Sequence, residues 1–237
     1  MQVFVGQSTV MSEKPFAQLH VDPVSTVDRV ADELRRALFD GELDPGTPLR
    51  EVALAESLGV ARSTVREALG MLVAEGLADR VPNKGTAVHE LSPAEIRDVC
   101  RARAVLETAG VRRWNDASEE ARDAVRAALT EFNRLAGTTA TSRELTAAHL
   151  QIHQALAGLT ESPRLVAMSE TLYAEIRLAL ARLDRARGNV REQAHSHAGL
   201  LRLLERGHLA EAEAELADHL AGAERSMVDS LASLGSV

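Results

Sequence analysis

Between Val24 and Gly76 the apolar residues recur every three or four positions, which is the period of an α-helix with one buried face. Gly41 and Gly59 interrupt the pattern, so it predicts three helices separated by turns. The apolar stripes expected to be buried are Val27, Val30, Ala31, Leu34 and Leu38, then Leu54, Ala55 and Leu58, and finally Val65, Ala68, Leu69, Leu72 and Val73. Because only a short turn separates the second helix from the third, the pattern predicts a helix-turn-helix.

A small hairpin is predicted directly after the third helix. Residues 77–81 and 86–90 form two short strand-like stretches, and residues 82–85, with sequence Pro-Asn-Lys-Gly, are typical of a turn. The hairpin would form a wing beside the helix-turn-helix.

From residue 92 onwards the pattern is almost uninterrupted helix, and Ser92, Pro93 and Glu95 favour a helix start. About six helices are expected, with breaks near Asn115, Gly137, Ser162-Pro163, Gly188 and Gly207. We therefore predict a mainly α chain in three parts. These are a disordered or loosely packed leader at 1–23, a winged helix-turn-helix domain at 24–90 and an all-helical bundle domain at 92–232.

The composition agrees with a helical globular protein, since hydrophobic residues make up 45% and aromatic residues only 3% of the 237 residues. The single Cys100 cannot form an internal disulfide and no secretion signal is recognisable, so we expect a cytoplasmic protein. No apolar run approaches the ~20 residues that a membrane span needs, so no membrane partner is expected. The net charge of −8 argues against binding of polyanions by the whole surface, so any DNA contact is expected to be local.

The third predicted helix carries the donors that a DNA-reading helix needs. Arg62 and Arg66 are four residues apart and share the face opposite the apolar stripe, with Ser63 and Thr64 beside them. An arginine donates two hydrogen bonds to a guanine edge, and hydroxyl groups suit phosphate or base contacts. Either hydroxyl could instead cap the helix, Thr64 being at capping-box spacing from Glu67. Two arginines alone are also compatible with a solvated helix face.

The wing tip adds one cation and one residue without a side chain. Lys84 and Gly85 suit a phosphate contact or insertion into the minor groove of double-stranded DNA.

The segment 27–89 resembles the DNA-binding domain of GntR-family regulators. The shared residues are Pro45, Gly46, Leu49, Glu51, Leu54, Ala55, Gly59, Val60, Arg62, Val65, Arg66, Glu67, Ala68, Leu69, Leu72, Glu75, Gly76, Leu77 and Gly85. Ala61 and Thr64 depart from the family, which usually has a hydroxyl residue and often a proline there. The resemblance implies a homodimeric repressor that reads a near-palindromic operator, and loss of the hydroxyl at position 61 removes one expected contact.

Six of the eight histidines follow residue 148, and helical spacing indicates which of them face inwards. His149 and His153 lie on the apolar face of one predicted helix, and His197 and His219 align with leucines on two later helices. His195 aligns with arginines and is expected to face outwards. A single inward histidine is usually a hydrogen-bonded core residue, but four of them without a shared partner would leave several buried nitrogens unsatisfied. The four histidines are therefore candidate ligands of a divalent metal such as zinc, nickel, cobalt or iron.

Residues 92–225 resemble the ligand-binding domain of the FadR-type branch of the GntR family, the FCD domain. In that branch an aspartate and three histidines commonly hold a metal. The resemblance assigns these histidines to His153, His197 and His219, while His149 occupies the position of the aspartate. Replacing a carboxylate by an imidazole favours zinc or nickel over a hard cation.

The same resemblance implies a small organic acid as effector, because in this branch an arginine of the first helix often binds a carboxylate. Arg103 matches that arginine, with an ordinary salt bridge as the alternative reading. Tyr173 and Arg177 are four residues apart, and we take them as further pocket candidates.

Taken together, the residues predict a metabolite-responsive, sequence-specific DNA-binding regulator whose helical domain binds a metal and a carboxylate effector. One alternative is a regulator whose helical domain only dimerises or recruits a partner. The other is a metal-dependent enzyme, which the sequence disfavours because it has no His-Glu-x-x-His segment and no acidic residue clearly placed as a base.

Overall fold

The computed structural model describes the backbone of residues 25–183 and 190–234, and the side chains of residues 25–180 and 196–232. The predicted leader at 1–23, the predicted break at Gly188 and the predicted orientation of His195 lie outside the described residues. The fold is mostly helical with one small sheet, as predicted.

The first part of the chain forms a winged helix-turn-helix, which we call the head. Its elements are α1 (Thr26–Phe39), β1 (Pro48–Leu49), α2 (Glu51–Leu58), α3 (Arg62–Ala74), β2 (Ala78–Val81) and β3 (Gly85–Val88). Ser25 and Asp28 form a capping box that starts α1, and Gly59 makes the turn between α2 and α3 with a φ of 66°. The predicted apolar stripe of α3 is buried except for Val73, which is half-buried, so the opposite face is available to a ligand.

The sheet of the head has one strand more than the sequence predicts. Strand β3 pairs with β2 in the predicted hairpin, and it also pairs antiparallel with β1, with Pro48 opposite Ala87 and Leu49 opposite Thr86. A strand of two residues shows no alternation that a sequence pattern could reveal.

The start of α3 differs from the prediction. The N-cap is Ala61, which makes no side-chain capping bond, and the helix already begins at Arg62. The predicted caps at Ser63 or Thr64 are therefore wrong, because both residues lie inside the first turn. Backbone N–H groups of that turn keep their capacity to bind an anion.

The helical domain follows from residue 93. Its helices are α4 (Pro93–Arg112), α5 (Glu119–Ala136), α6 (Ser142–Gly158), α7 (Pro163–Leu183), α8 (Val190–Glu205) and α9 (Leu209–Leu234). Ser92 and Glu95 form the expected capping box at the start of α4. Helices α4 and α6 cross closely at Gly110, where a side chain would overlap the backbone carbonyl of Leu156. This crossing brings the buried face of α4 against the histidine-bearing face of α6.

The head and the helical domain share a buried core. Leu34 of α1 and Leu72 of α3 belong to the same apolar cluster as Tyr173 and Ile176 of α7 and Met227 of α9. An ion pair of 2.8 Å between Arg143 Nη1 and Asp40 Oδ1 also joins the two parts. Helix α7 thus contacts both the interior of the helical domain and the head.

Within the described residues, no helix is long and apolar enough to cross a membrane.

Candidate metal centre and nucleic-acid interface

The outer face of α3 presents the predicted DNA-reading residues. Arg62, Ser63 and Arg66 are exposed and Thr64 is half-buried, while Val65 between them is completely buried. Arg66 is not isolated, since its Nε and Nη2 donate hydrogen bonds to Glu51 of α2. The face can offer two guanidinium groups to a major groove.

The wing tip lies beside this face with Lys84 and Gly85 both exposed. Gly85 has a φ of 95°, a conformation that favours glycine. Two exposed cations that the sequence analysis did not single out border the same surface. Arg50 donates to the Lys84 carbonyl over 3.4 Å, and Arg80 on β2 lies over Gly70 of α3. Neither arginine lies on α3 or in the turn of the hairpin, so the local sequence pattern did not associate them with the reading helix.

The structure brings the four predicted histidines together. One ring nitrogen from each of His149, His153, His197 and His219 lies within 4.8 Å of the others. The Nε2 atom of His153 lies 3.2 Å from the Nε2 atoms of both His149 and His197. The first two residues come from α6, His197 from α8 and His219 from α9, so the cluster joins three helices. We call this cluster the histidine centre.

An unpartnered nitrogen of His219 indicates that the histidine centre fits a metal ion. Its Nε2 atom is buried and has no hydrogen-bond partner among the described residues. Its Nδ1 atom faces Ser196 Oγ at 3.5 Å. A buried nitrogen without a partner is costly, and coordination to a metal would satisfy it.

The electrostatics of the centre keep the imidazoles of His149, His153 and His219 neutral. Burial lowers the pKa of His149 and of His153 well below the usual 6.5, and neighbouring cationic groups lower them further. Burial also lowers the pKa of His219 to about 4. Neutral imidazole is the form that coordinates a metal, so the side chains are in the coordinating form at neutral pH.

A buried carboxylate, Glu107 of α4, contacts the ring nitrogen of His153 that faces away from the other histidines. Its Oε2 lies 2.7 Å from His153 Nδ1, and its Oε1 accepts hydrogen bonds of 3.0 Å from both Arg103 Nε and Tyr173 Oη. A carboxylate at Nδ1 fixes the proton there and directs the unprotonated Nε2 towards the other histidines. Burial raises the pKa of the Glu107 carboxyl, and the guanidinium of Arg103 opposes that rise. The sequence signal for Glu107 was its position four residues after an inward arginine.

Of the three effector-binding candidates, Arg103 and Tyr173 lie together beside the histidine centre. Arg103 is buried and faces the centre, whereas Arg101, two residues away on the same helix, is exposed and pairs with Asp98. The guanidinium of Arg103 also lies over the ring of Tyr173, 5.2 Å from its centroid. The salt-bridge alternative for Arg103 is therefore present, with Glu107 as its partner.

The prediction that Arg177 belongs to the same pocket is not supported. Its guanidinium lies over the ring of Phe39, the last residue of α1, at 4.2 Å from the centroid. Tyr173 and Arg177 are one helical turn apart on α7, and that face meets α4 at Tyr173 but reaches α1 at Arg177. Arg177 thus connects α7 to the head.

Comparison with known proteins gives matches over both parts of the chain. Residues 26–88 match the family model of bacterial regulatory proteins of the gntR family, and residues 98–222 match that of the FCD domain. The crystal structure of a GntR-type regulator from Rhodococcus sp. RHA1 is similar to this chain, with a TM-score of 0.75 and 27% identity. The similarity covers 87% of this chain and 99% of that one.

Two curated relatives match the chain over shorter segments. An uncharacterized HTH-type transcriptional regulator of Agrobacterium vitis is 34% identical over 103 residues, which are 42% of this chain and 60% of that protein. The gluconate operon transcriptional repressor of Bacillus licheniformis is 40% identical over 84 residues, which are 35% of this chain and 34% of that protein. The chain thus spans less than two thirds of the length of these relatives, all of which are named as transcription regulators and not as enzymes. With its head and helical domain both matched, the chain belongs to the gntR family of bacterial regulatory proteins and carries an FCD domain.

Proposed function

We propose that this protein is a cytoplasmic, DNA-binding transcription repressor whose helical domain senses a small organic acid through a bound divalent metal. The observation that carries the proposal is the convergence of four histidines, three of them buried, in a domain that packs against a head with two exposed arginines on its reading helix. Membership of a family of regulators counts against the metal-enzyme alternative.

The head supplies the contact with DNA. Arg62 and Arg66 would read base edges in the major groove, Ser63 and Thr64 would contact phosphate, and the wing tip at Lys84 and Gly85 would reach the neighbouring backbone. A homodimer would place two heads on the half-sites of a near-palindromic operator. The name of the Bacillus licheniformis relative supports repression as the outcome.

The histidine centre would hold the metal through His149, His153, His197 and His219. A set of four imidazoles suits zinc or nickel better than a hard cation such as magnesium. Bound metal would supply a Lewis-acidic centre that attracts an anionic ligand, while Glu107 keeps His153 oriented.

Charge favours an acid as the effector. The lowered pKa values of His149, His153 and His219 keep these imidazoles neutral, and the charges of Arg103 and Glu107 compensate each other. A divalent ion would therefore bring an uncompensated positive charge into a buried site, and an organic carboxylate would neutralise part of it. Arg103 and Tyr173 would border the effector, with Arg103 held in place by Glu107.

Helix α7 offers a route from the centre to the head. It carries Tyr173, which donates to Glu107, and Arg177, which contacts Phe39 of α1. A ligand that changes the position of α7 would favour one placement of the heads and so change the affinity for the operator.

The metal part is tested by elemental analysis of the purified protein. We expect about one zinc or nickel ion per chain in the wild type and a near-complete loss in the His153→Ala/His197→Ala double variant. Equal metal content in both proteins would eliminate the site.

The effector part is tested by a thermal-shift screen of organic acids on the metal-loaded protein. A ligand at 100 times its dissociation constant adds about 2.7 kcal/mol of stability, which is readily measured. The second candidate function, a helical domain that only dimerises or recruits a partner, predicts no shift with any acid in either the metal-loaded or the metal-free protein.

A further inference from the structure

Arg66 reaches the surface of α3 with one edge of its guanidinium already bonded. Its Nε donates to Oε1 of Glu51 over 3.0 Å, and its Nη2 donates to Oε2 over 2.8 Å. This is the two-bond fork that an arginine forms with a carboxylate. Glu51 belongs to another helix, α2, and Arg62 Nη2 lies 3.8 Å from the same carboxylate.

The fork leaves the other edge of the guanidinium for a ligand. A guanidinium has five N–H groups, and the carboxylate takes one on Nε and one on Nη2. The Nη1 group makes no hydrogen bond within the described residues. One N–H of Nη1 and the second N–H of Nη2 point along the axis of the side chain, and this pair matches the O6 and N7 acceptors of guanine.

We propose that Glu51 is a positioning residue that holds Arg66 in the orientation in which it reads a guanine. The inference rests on the proposed function, in which Arg66 contacts DNA. A long exposed arginine loses rotamer freedom when it binds a base, and a side chain already held by Glu51 has lost part of that freedom beforehand.

The negative charge of Glu51 should weaken binding to any DNA duplex, which is opposite to the effect of positioning Arg66. A carboxylate close to the DNA repels the phosphates, so its removal should increase the affinity for any duplex. Positioning and repulsion therefore predict opposite signs for binding to the operator, and this makes the two roles separable.

The test uses Glu51→Gln in the full-length protein. The probes are a duplex selected from a random-sequence library by the wild-type protein and a scrambled duplex of equal composition, both measured by fluorescence anisotropy at one salt concentration. We expect affinity for the selected duplex to fall roughly tenfold, because part of a bidentate arginine contact is lost. Affinity for the scrambled duplex should stay constant or rise, so the ratio of the two affinities falls.

A matched control removes a charge from the same helix. Glu56 is exposed on α2 and makes no ion pair within the part of the chain that the structure describes. Glu56→Gln should leave the affinity ratio unchanged. Thermal unfolding of both variants should match the wild type, which shows that neither substitution disturbs the fold.

A double-mutant cycle with Arg66→Ala completes the test. In the Arg66→Ala background, Glu51→Gln should no longer lower affinity for the selected duplex, because there is no arginine to position. A Glu51→Gln variant that binds both duplexes more tightly by the same factor would overturn the inference and leave only repulsion. If Arg66→Ala alone leaves the affinity for the selected duplex unchanged, the proposed base contact itself has failed, and the inference fails with it.

Discussion

In each domain a carboxylate pairs with an arginine that we propose to bind a ligand, but the two carboxylates have very different surroundings. In the head, Glu51 and Arg66 have side-chain exposures of 31% and 59%. In the helical domain, Glu107 and Arg103 have exposures of 0% and 4%. Water and salt weaken the first pair, whereas the second is shielded and has no alternative partner in solvent.

The difference in burial matches the difference in task. An exposed pair forms at little cost, and in the proposed function it orients Arg66 while leaving the other edge of the guanidinium to the DNA. A buried pair cannot lose one member without leaving a charge in an apolar interior, so it fixes the geometry of the histidine beside it. Perturbing each carboxylate should therefore give effects of different size and kind.

The largest effect is expected from Glu107→Ala. The substitution leaves the Arg103 guanidinium buried without its partner, and the free energy of unfolding should fall by about 3–5 kcal/mol. Urea denaturation of the metal-free protein measures this loss. Glu131→Ala removes an exposed partner of Arg134 and is the control, for which a comparable loss would argue that burial is not the deciding factor.

The second prediction concerns pH and the buried histidines. Their pKa values are lowered in the native protein, so between pH 7 and 5 the unfolded chain binds protons that the native chain does not. In the metal-free protein, the contribution of these histidines to the free energy of unfolding is therefore fully present above about pH 7 and decreases as the pH is lowered. Each histidine changes the free energy of unfolding by at most about 1.4 kcal/mol per pH unit, and the three together change it by at most about 4 kcal/mol per pH unit. Denaturation curves at several pH values should show a slope that is much reduced in the His153→Ala/His197→Ala variant.

The third prediction concerns the exposed arginines of the head. Arg66→Ala and Arg62→Ala should each weaken binding to the selected duplex by about 5- to 150-fold, with little change in thermal unfolding. Loss of binding together with loss of folding would mean that these side chains are structural. Arg97→Ala, at an exposed site on α4, should change neither property.

The smallest effect is expected at the uncapped start of α3. Ala61→Ser adds a side-chain acceptor for the first backbone N–H groups and should stabilise the protein by about 0.5–1 kcal/mol. Chemical denaturation measures this gain. Ala53→Ser, at an exposed position inside α2, provides no cap and should give no stabilisation.

Helices and turns were predictable from the sequence because their signals are local. The buried stripe of α3, the glycine turn before it and the capping box at Ser92 all depend on residues within a few positions of one another. The same reasoning identified the inward face of each histidine, since direction around a helix follows from spacing.

Features that depend on contacts between distant elements were not predictable. The convergence of His149 with His197 and His219 requires that α6, α8 and α9 meet. Spacing along one helix does not show which other helices pack against it. Spacing places Glu107 on the same face of α4 as Arg103, but its contact with His153 depends on the crossing of α4 and α6. Arg177 was misplaced because a pattern on one helix does not say which neighbour each turn of its face will meet.

We propose that what the histidine centre binds, the metal included, changes the affinity of the head for DNA. The most direct test compares the affinity of zinc-loaded and chelator-stripped protein for the selected duplex. Coupling between two sites usually amounts to about 5- to 150-fold, and a difference of this order is expected in the wild type. It should vanish in the His153→Ala/His197→Ala variant, whereas equal affinities of the two wild-type forms would contradict the account.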